Sequence, residues 1–241
     1  MDNKLVRNLT APATSGVHRI SWDLRYPDLS PIRKNTDINK NSGFPVLPGK
    51  YKVTLSQVID GNTTQIAGPV EFEVKHLNNA TLPIANRFEL VEFQKNVSKL
   101  QQAVMGTQSY YDKLLEQVEL MKKAVLSTPG IDNKLYNQLR QAEIDLKMLG
   151  ITLNGNKTIE NRNENQTPSI SDRLNYVLWV VWDLDSAPTE TARDGYNIAS
   201  EQLKEFLRQM KAIEDNQIKP VQDTLQKNGA PWTPGRFPVW E

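Results

Sequence analysis

The longest regular pattern in this 241-residue chain is an apolar seam whose positions are separated alternately by three and four residues. Only one of its members, a threonine, is not apolar: Val97, Leu100, Val104, Thr107, Tyr111, Leu114, Val118, Met121 and Val125. This heptad spacing places all nine side chains on one stripe of a helix, which must pack along its length against other helices. Pro129 and Gly130 predict the end of that helix.

Three further helices follow from the same spacing. The second carries Leu135, Leu139, Ala142, Leu146 and Leu149, and Gly150 predicts its end; residues 150–167 are interpreted as a loop. A third begins after Pro168–Ser169, and a fourth carries Tyr196, Ala199, Leu203, Phe206, Met210 and Ile213. Pro220 is expected to kink or end the fourth helix, because proline has no N–H and clashes with the preceding turn. We predict an antiparallel, up-down four-helix bundle over residues 86–229 and a monomeric chain, with an intermolecular coiled coil as the alternative.

The first ninety residues alternate with a period of two, which is typical of half-buried antiparallel strands. The alternating sets are Ile20, Trp22 and Leu24; Tyr51, Val53 and Leu55; and Val70, Phe72 and Val74. Asp60–Gly61 between two of these runs predicts a hairpin turn. The predicted class is therefore α+β and multidomain: a small immunoglobulin-like antiparallel β-sandwich over residues 1–85, then the bundle, then an extended tail rich in proline and tryptophan over residues 230–241.

Composition excludes several classes of function. The net charge of +1 provides no general field for nucleic acid, so no nucleic-acid partner is expected. The chain has no cysteine, which excludes disulfides and zinc-thiolate sites. No apolar run is long enough to span a membrane. Because the sequence starts within a strand-like segment and has no apolar signal core, we expect a piece of a longer exported protein whose signal peptide lies outside this sequence.

The sequence predicts no catalytic residue, metal site or cofactor. His18 and His76 lack a third ligand at a suitable spacing for zinc. Asp183 and Asp185, with Glu190 nearby, are interpreted as turn and helix-end residues, because glycoside hydrolysis needs two carboxyl groups on opposite sides of a cleft.

Five tryptophans are the remaining candidates for ligand contacts. Trp22, Trp179 and Trp182 lie in apolar patterns and are expected to pack in a core. Trp232 and Trp240 lie in the proline-rich tail, and aromatic faces of this kind can stack on sugar rings. They are the only ligand-binding residues that the sequence suggests.

Three segments, residues 16–25 (GVHRISWDLR), 47–55 (LPGKYKVTL) and 72–74 (FEV), resemble the C-terminal sandwich of bacterial sialidase-like and sortilin-like β-propeller proteins classed as glycosyl hydrolases. The first two also resemble the immunoglobulin-like domain of flagellar hook-capping proteins. In the propeller proteins a helical region follows, and a tail similar to residues 229–236 closes the chain. The propeller, which would carry any hydrolytic residues, has no counterpart in this sequence.

The resemblance implies a non-catalytic accessory or interaction module of a larger exported β-propeller protein, located in the periplasm, on the outer surface or in the medium. Its expected partner is the propeller of its own parent chain. Two alternatives are a carbohydrate-binding module that assists a glycoside hydrolase, and a part that completes a glycosidase active site.

Overall fold

The computed structural model describes residues 4–32, 34, 42–77, 87–182 and 186–238. The chain forms two compact units, which are described separately. Unit 1 comprises Met1–Ser98 with Val181–Pro188, and unit 2 comprises Lys99–Val180 with Thr189–Glu241. The domain boundaries predicted at residues 85/86 and 229/230 stay predictions.

Unit 1 contains two small antiparallel sheets and the start of a long helix. Strand β1 (Arg25–Pro27) pairs with β2 (Ser42–Pro45), and β3 (Gly49–Ile59) pairs with β4 (Asn62–Val74). Helix α1 (Arg87–Ser127) begins in this unit. The β3–β4 turn is the predicted one: Asp60 and Gly61 both have positive φ, 51° and 79°, as a tight hairpin turn with the right twist requires.

The predicted immunoglobulin-like β-sandwich is wrong. The described residues hold only two two-stranded sheets and are mainly helical, with about 55% of them in helices. Residues 17–24 form no strand, although Ile20, Trp22 and Leu24 alternate. Leu24 has a φ of 59°, which interrupts an extended conformation, and Val17 and Ile20 are exposed. In this segment Trp22 packs against the rings of Tyr51 and Phe72, so its burial results from this one contact and not from pairing of residues 17–24 as a strand.

Unit 2 is built from helices. After α1 come α2 (Lys134–Asn154), the short α3 (Lys157–Asn161), α4 (Ile170–Val181), α5 (Glu190–Ile213), one π-helical turn (Glu214–Ile218) and α6 (Lys219–Lys227). All nine seam positions of α1 from Val97 to Val125 are buried, as the heptad pattern predicts. The Thr189 hydroxyl accepts a hydrogen bond from the Ala192 N–H at 3.2 Å and caps the start of α5. Residues 150–167, interpreted as a loop, include the end of α2 and the whole of α3.

Gly150 does not end α2, which continues to Asn154. Tyr111 of α1 lies against the backbone of Gly150 and donates its hydroxyl proton to the Leu146 carbonyl oxygen at 3.2 Å. A Cβ atom on Gly150 would lie 2.2 Å from the Tyr111 hydroxyl oxygen. The glycine therefore permits two helices to approach closely, and an ion pair between Lys122 of α1 and Glu143 of α2 joins the same two helices.

The effect of Pro220 appears one turn upstream of the proline. The helix widens over Glu214–Ile218, where the Lys219 N–H donates to the Glu214 carbonyl, five residues back. Pro220 then occupies the first turn of α6, where its missing N–H costs nothing. The chain thus continues as a helix, and Ile218, Val221 and Leu225 remain buried.

Among the described residues, no helix combines the length and the apolar composition needed to cross a membrane.

Candidate functional site

An aromatic cluster lies at the base of the β3–β4 hairpin. The Trp22 ring packs edge-on against Tyr51 and Phe72, at centroid distances of 5.5 and 6.1 Å, and the latter two rings stack at 6.0 Å. The Trp22 indole N–H donates to the Arg25 carbonyl at 3.0 Å, and the Tyr51 hydroxyl donates to the Leu47 carbonyl at 2.5 Å. Burial raises the pKa of Tyr51 above its ordinary value. The three segments that carry the family resemblance therefore meet in this cluster.

Beyond the cluster, the same face of the hairpin is open to solvent. Tyr51 is paired with Phe72, Val53 with Val70, and Leu55 with Ala67, and residues that face each other across a ladder project from the same face. The exposed fractions of Val53, Leu55 and Val70 are 55%, 52% and 61%. Ile59, at the far end of this face, is also exposed. We call Val53, Leu55, Ile59 and Val70 the apolar hairpin face.

The opposite face of the hairpin is charged. Lys50 lies across from Glu73, and Lys52 lies across from Glu71 with an Nζ–Oε1 distance of 3.1 Å. Within the described part of the chain, β3 and β4 pair only with each other, so both outer edges of this sheet lack a neighbouring strand. The hairpin is therefore amphipathic, with a charged face and an apolar face that no described residue covers fully.

A second candidate surface is the loop that follows α6, residues 230–237, which we call the Trp232 loop. The Trp232 indole N–H donates to the Arg236 carbonyl at 3.1 Å. The Arg236 guanidinium donates to the carbonyls of Pro231 and, at 3.5 Å, Ala230. Gln222 of α6 donates its side-chain amide to the Gly235 carbonyl at 3.3 Å. These bonds close the loop on itself and attach it to α6.

A cleft of about 810 Å³ separates the Trp232 loop from the end of α6. Its lining combines an aromatic pair with polar and charged groups: Asp223, Gln226, Lys227, Gly229, Ala230, Trp232, Arg236 and Phe237. The exposed fractions of Trp232 and Phe237 are 59% and 87%, whereas Arg236 is 7% exposed. The cleft can therefore offer a stacking surface and hydrogen-bond donors to a polar ligand.

The structure places Trp232, predicted from the sequence, at this cleft. Trp240, the other predicted residue, lies outside the described residues, as do Asp183 and Asp185. Trp179, expected in a core, is 83% exposed on α4, and Trp182 packs edge-on against Phe44 at 6.3 Å. Sequence reasoning missed Arg236, whose only signal was its position between two aromatic residues of the tail.

The pKa values of four carboxyl groups are shifted downward: Glu119, Glu143, Glu205 and Asp215. The strongest shift belongs to Glu205, whose pKa of about 2 results from hydrogen bonds donated by Arg208 and Gln209. A general acid that works near neutral pH needs the opposite shift. These four groups are therefore unsuited to protonate a leaving group.

The histidines and the acidic residues also form no metal centre in the described ranges. His18 is exposed, and its Nε2 atom lies 2.8 Å from the Thr14 carbonyl oxygen. No group of three or more histidine, aspartate or glutamate side chains in the described ranges could hold a metal ion.

No protein-family model, curated protein or solved structure matches this chain. Its functional interpretation therefore depends on the two surfaces described above.

Proposed function

We propose that this chain is a non-catalytic accessory module that docks on a β-propeller of a larger exported protein through the apolar hairpin face. The observation that carries this proposal is the combination of exposed apolar side chains on one face of β3–β4 with two unpaired sheet edges. We place the module outside the cytoplasm, with its parent protein.

The energetic argument starts from the hairpin itself. A two-stranded hairpin is marginally stable in water and gains stability when its apolar face is covered. Covering Val53, Leu55, Ile59 and Val70, each more than half exposed, would stabilise the assembly by roughly 1 kcal/mol per side chain. An exposed, long edge strand is also a site at which another chain can pair.

The geometry favours a β-sheet as the occupant. The apolar face of a sheet can be covered by a second sheet, which packs about 10 Å away with interdigitated side chains. Propeller blades are four-stranded antiparallel sheets and so offer such a face. The opposite side carries Lys50, Lys52, Glu71 and Glu73 near the base of the hairpin, and burial of these charges would be costly, so docking through the apolar hairpin face is favoured.

Site-specific photo-crosslinking tests this proposal. A photoreactive phenylalanine analogue is placed at Val70, on the apolar hairpin face, and in a matched control at Glu71, which lies on the charged face. The full-length parent protein is irradiated in its native host, and cross-linked peptides are identified by mass spectrometry. We expect cross-links from position 70 to propeller peptides and few from position 71.

Two results would contradict the proposal. Equal cross-linking from both positions would show that the face has no specific partner. Cross-links from position 70 to a second copy of this chain, together with a dimer in light scattering that Val53→Ser and Val70→Ser dissociate, would assign the face to self-association.

A second candidate function, carbohydrate binding, is favoured by the exposed Trp232 ring beside the polar lining of its cleft. Gel electrophoresis through embedded polysaccharides would test it. Trp232→Ala should abolish retardation, whereas Trp179→Ala removes an indole that is more exposed and does not line the cleft, and should leave retardation unchanged. This function would be contradicted if both variants lost retardation equally, or if no polysaccharide retarded the native chain.

A further inference from the structure

Arg236 is a buried cation with no acidic partner among the described residues. The residue is 7% exposed, and its guanidinium donates to the carbonyl oxygens of Ala230 and Pro231. Its Nε atom has no hydrogen-bond partner, and within the described chain no carboxylate forms an ion pair with it. The two carbonyl dipoles offset part of the cost of burial, but no acidic group in the described ranges compensates the positive charge.

Buried charges in proteins are normally paired, because desolvation of an unpaired ion is expensive. A guanidinium group presents its donors as a planar fork that matches a carboxylate. Arg236 also lines the cleft beside Trp232. The cleft is thus lined by a cation that forms no ion pair within the described chain, next to an exposed aromatic ring.

The other charged groups in the lining add to this preference. Lys227, at the end of α6, contributes a second positive charge, and among the described residues Asp223 is the single acidic one that lines the cleft. The volume of about 810 Å³ falls in the range of small-molecule sites, roughly 300–1,000 Å³. The lining is therefore suited to an anionic ligand that carries a ring.

We infer that the Trp232 cleft binds an acidic oligosaccharide, with a uronate ring stacked on Trp232 and its carboxylate paired with Arg236 and Lys227. Phe237 offers a second aromatic surface for a neighbouring sugar. This inference rests on the second candidate function, carbohydrate binding, and names its ligand class.

A matched pair of ligands tests the charge requirement. Trigalacturonate and its fully methyl-esterified form have the same rings and differ in charge, and each is titrated into the full chain by isothermal calorimetry and by tryptophan fluorescence. We expect the acid to bind at least tenfold more tightly than the ester, and the preference to shrink as salt is added.

Two variants locate the site. Trp232→Ala should abolish binding of the acid, and Lys227→Gln should weaken it several-fold. Lys227 is exposed and makes none of the hydrogen bonds that close the Trp232 loop, so its variant keeps the test valid even if Arg236→Gln disturbs that loop. Trp179→Ala again serves as the control.

The outcomes distinguish the preference for an acidic ligand from carbohydrate binding in general. Equal binding of acid and ester would overturn the acidic preference and leave carbohydrate binding intact. Absence of binding by either ligand would overturn the inference, and only a failure with neutral and acidic polysaccharides alike would remove the carbohydrate function. Binding that survives both Trp232→Ala and Lys227→Gln would show that the ligand sits elsewhere.

Discussion

Replacement of Gly150 by alanine changes the stability of the chain in two opposite ways, through a gain in helix propensity and through a steric clash. Alanine in a helix interior is favoured over glycine by about 1 kcal/mol. The new Cβ atom, however, would lie 2.2 Å from the Tyr111 hydroxyl oxygen and 2.8 Å from the ring carbon that bears it. Tyr111 is 6% exposed and packs against Phe206 at 6.1 Å, so its ring has little space into which to move.

The cost of the steric clash should exceed the gain in helix propensity. Overpacking of a core costs about 1–3 kcal/mol, and displacement of Tyr111 also breaks its hydrogen bond to the Leu146 carbonyl, worth about 1 kcal/mol. After the gain in helix propensity is subtracted, Gly150→Ala should lower the free energy of unfolding by about 1–3 kcal/mol. Gly106→Ala is the control: this glycine is exposed in α1 with nothing within 4 Å of its would-be Cβ, so the substitution should stabilise by about 0.5–1 kcal/mol.

Chemical denaturation monitored by far-ultraviolet circular dichroism measures both effects, and a double-mutant cycle identifies their origin. Tyr111→Phe removes the oxygen atom that comes closest to the new Cβ, so Gly150→Ala should cost less in that background than in the native chain. If Gly150→Ala instead stabilises the chain as much as Gly106→Ala does, or if the cycle shows no coupling, then α1 and α2 do not cross at this glycine.

Three further results are expected. Leu114→Asp should unfold unit 2, seen as loss of its cooperative melting transition, because this seam residue is 2% exposed and an unpaired carboxylate there is costly; an unchanged melting curve would show that the seam is exposed. Glu143→Gln should destabilise the chain by about 1 kcal/mol at pH 7, since Lys122 and Lys147 lower the pKa of Glu143. The ionised Glu143 carboxylate stabilises the fold above its unfolded pKa of about 4.3, and this contribution is lost as the pH falls through the lower folded pKa. The difference in unfolding free energy between the native and variant chains, measured by urea denaturation, should therefore vanish in acid. A difference that stays constant with pH would exclude the ion pair as its cause. Purified protein should hydrolyse no aryl glycoside above a buffer blank, and reproducible turnover would contradict a non-catalytic module.

The helices could be predicted because their signal is local. Each seam in α1 and α5 is defined by residues three or four positions apart, and every predicted seam position of α1 is buried. The end of α2 could not be predicted, because Gly150 is an ordinary stop signal in sequence and only the position of Tyr111, 39 residues earlier in the numbering, gives it a different role. The same holds for α3, which has too few residues for a periodic pattern.

The sandwich was predicted wrongly because period-two alternation does not distinguish a paired strand from an irregular segment with one anchored ring. Trp22 packs on Tyr51 and Phe72, whereas its neighbours Ile20 and Leu24 are exposed. Exposure of the apolar hairpin face is equally invisible in sequence, since Val53 and Val70 look like core residues until the absence of a covering layer is known.

In the candidate cleft, too, one residue could be predicted from the sequence and another could not. Trp232 could be selected by residue type, because a tryptophan in a proline-rich tail is unusual. Arg236 could not, because its burial depends on carbonyl groups of Ala230 and Pro231 that the loop turns toward it. An arginine near the end of a chain is otherwise read as a solvated surface charge.

The widened turn at Glu214–Ile218 changes how this helix should be aligned with any other. Counting from buried Met210 at 3.6 residues per turn, an uninterrupted helix would place its next inward positions at about 214, 217, 221 and 224. The π turn, closed by the Lys219 N–H and the Glu214 carbonyl, holds one residue more than an α-helical turn, and Ile218, Val221 and Leu225 are still buried. An alignment with a straight helix therefore needs a one-residue gap here. Deletion of Asn216 combined with Pro220→Ala should leave the same three side chains buried.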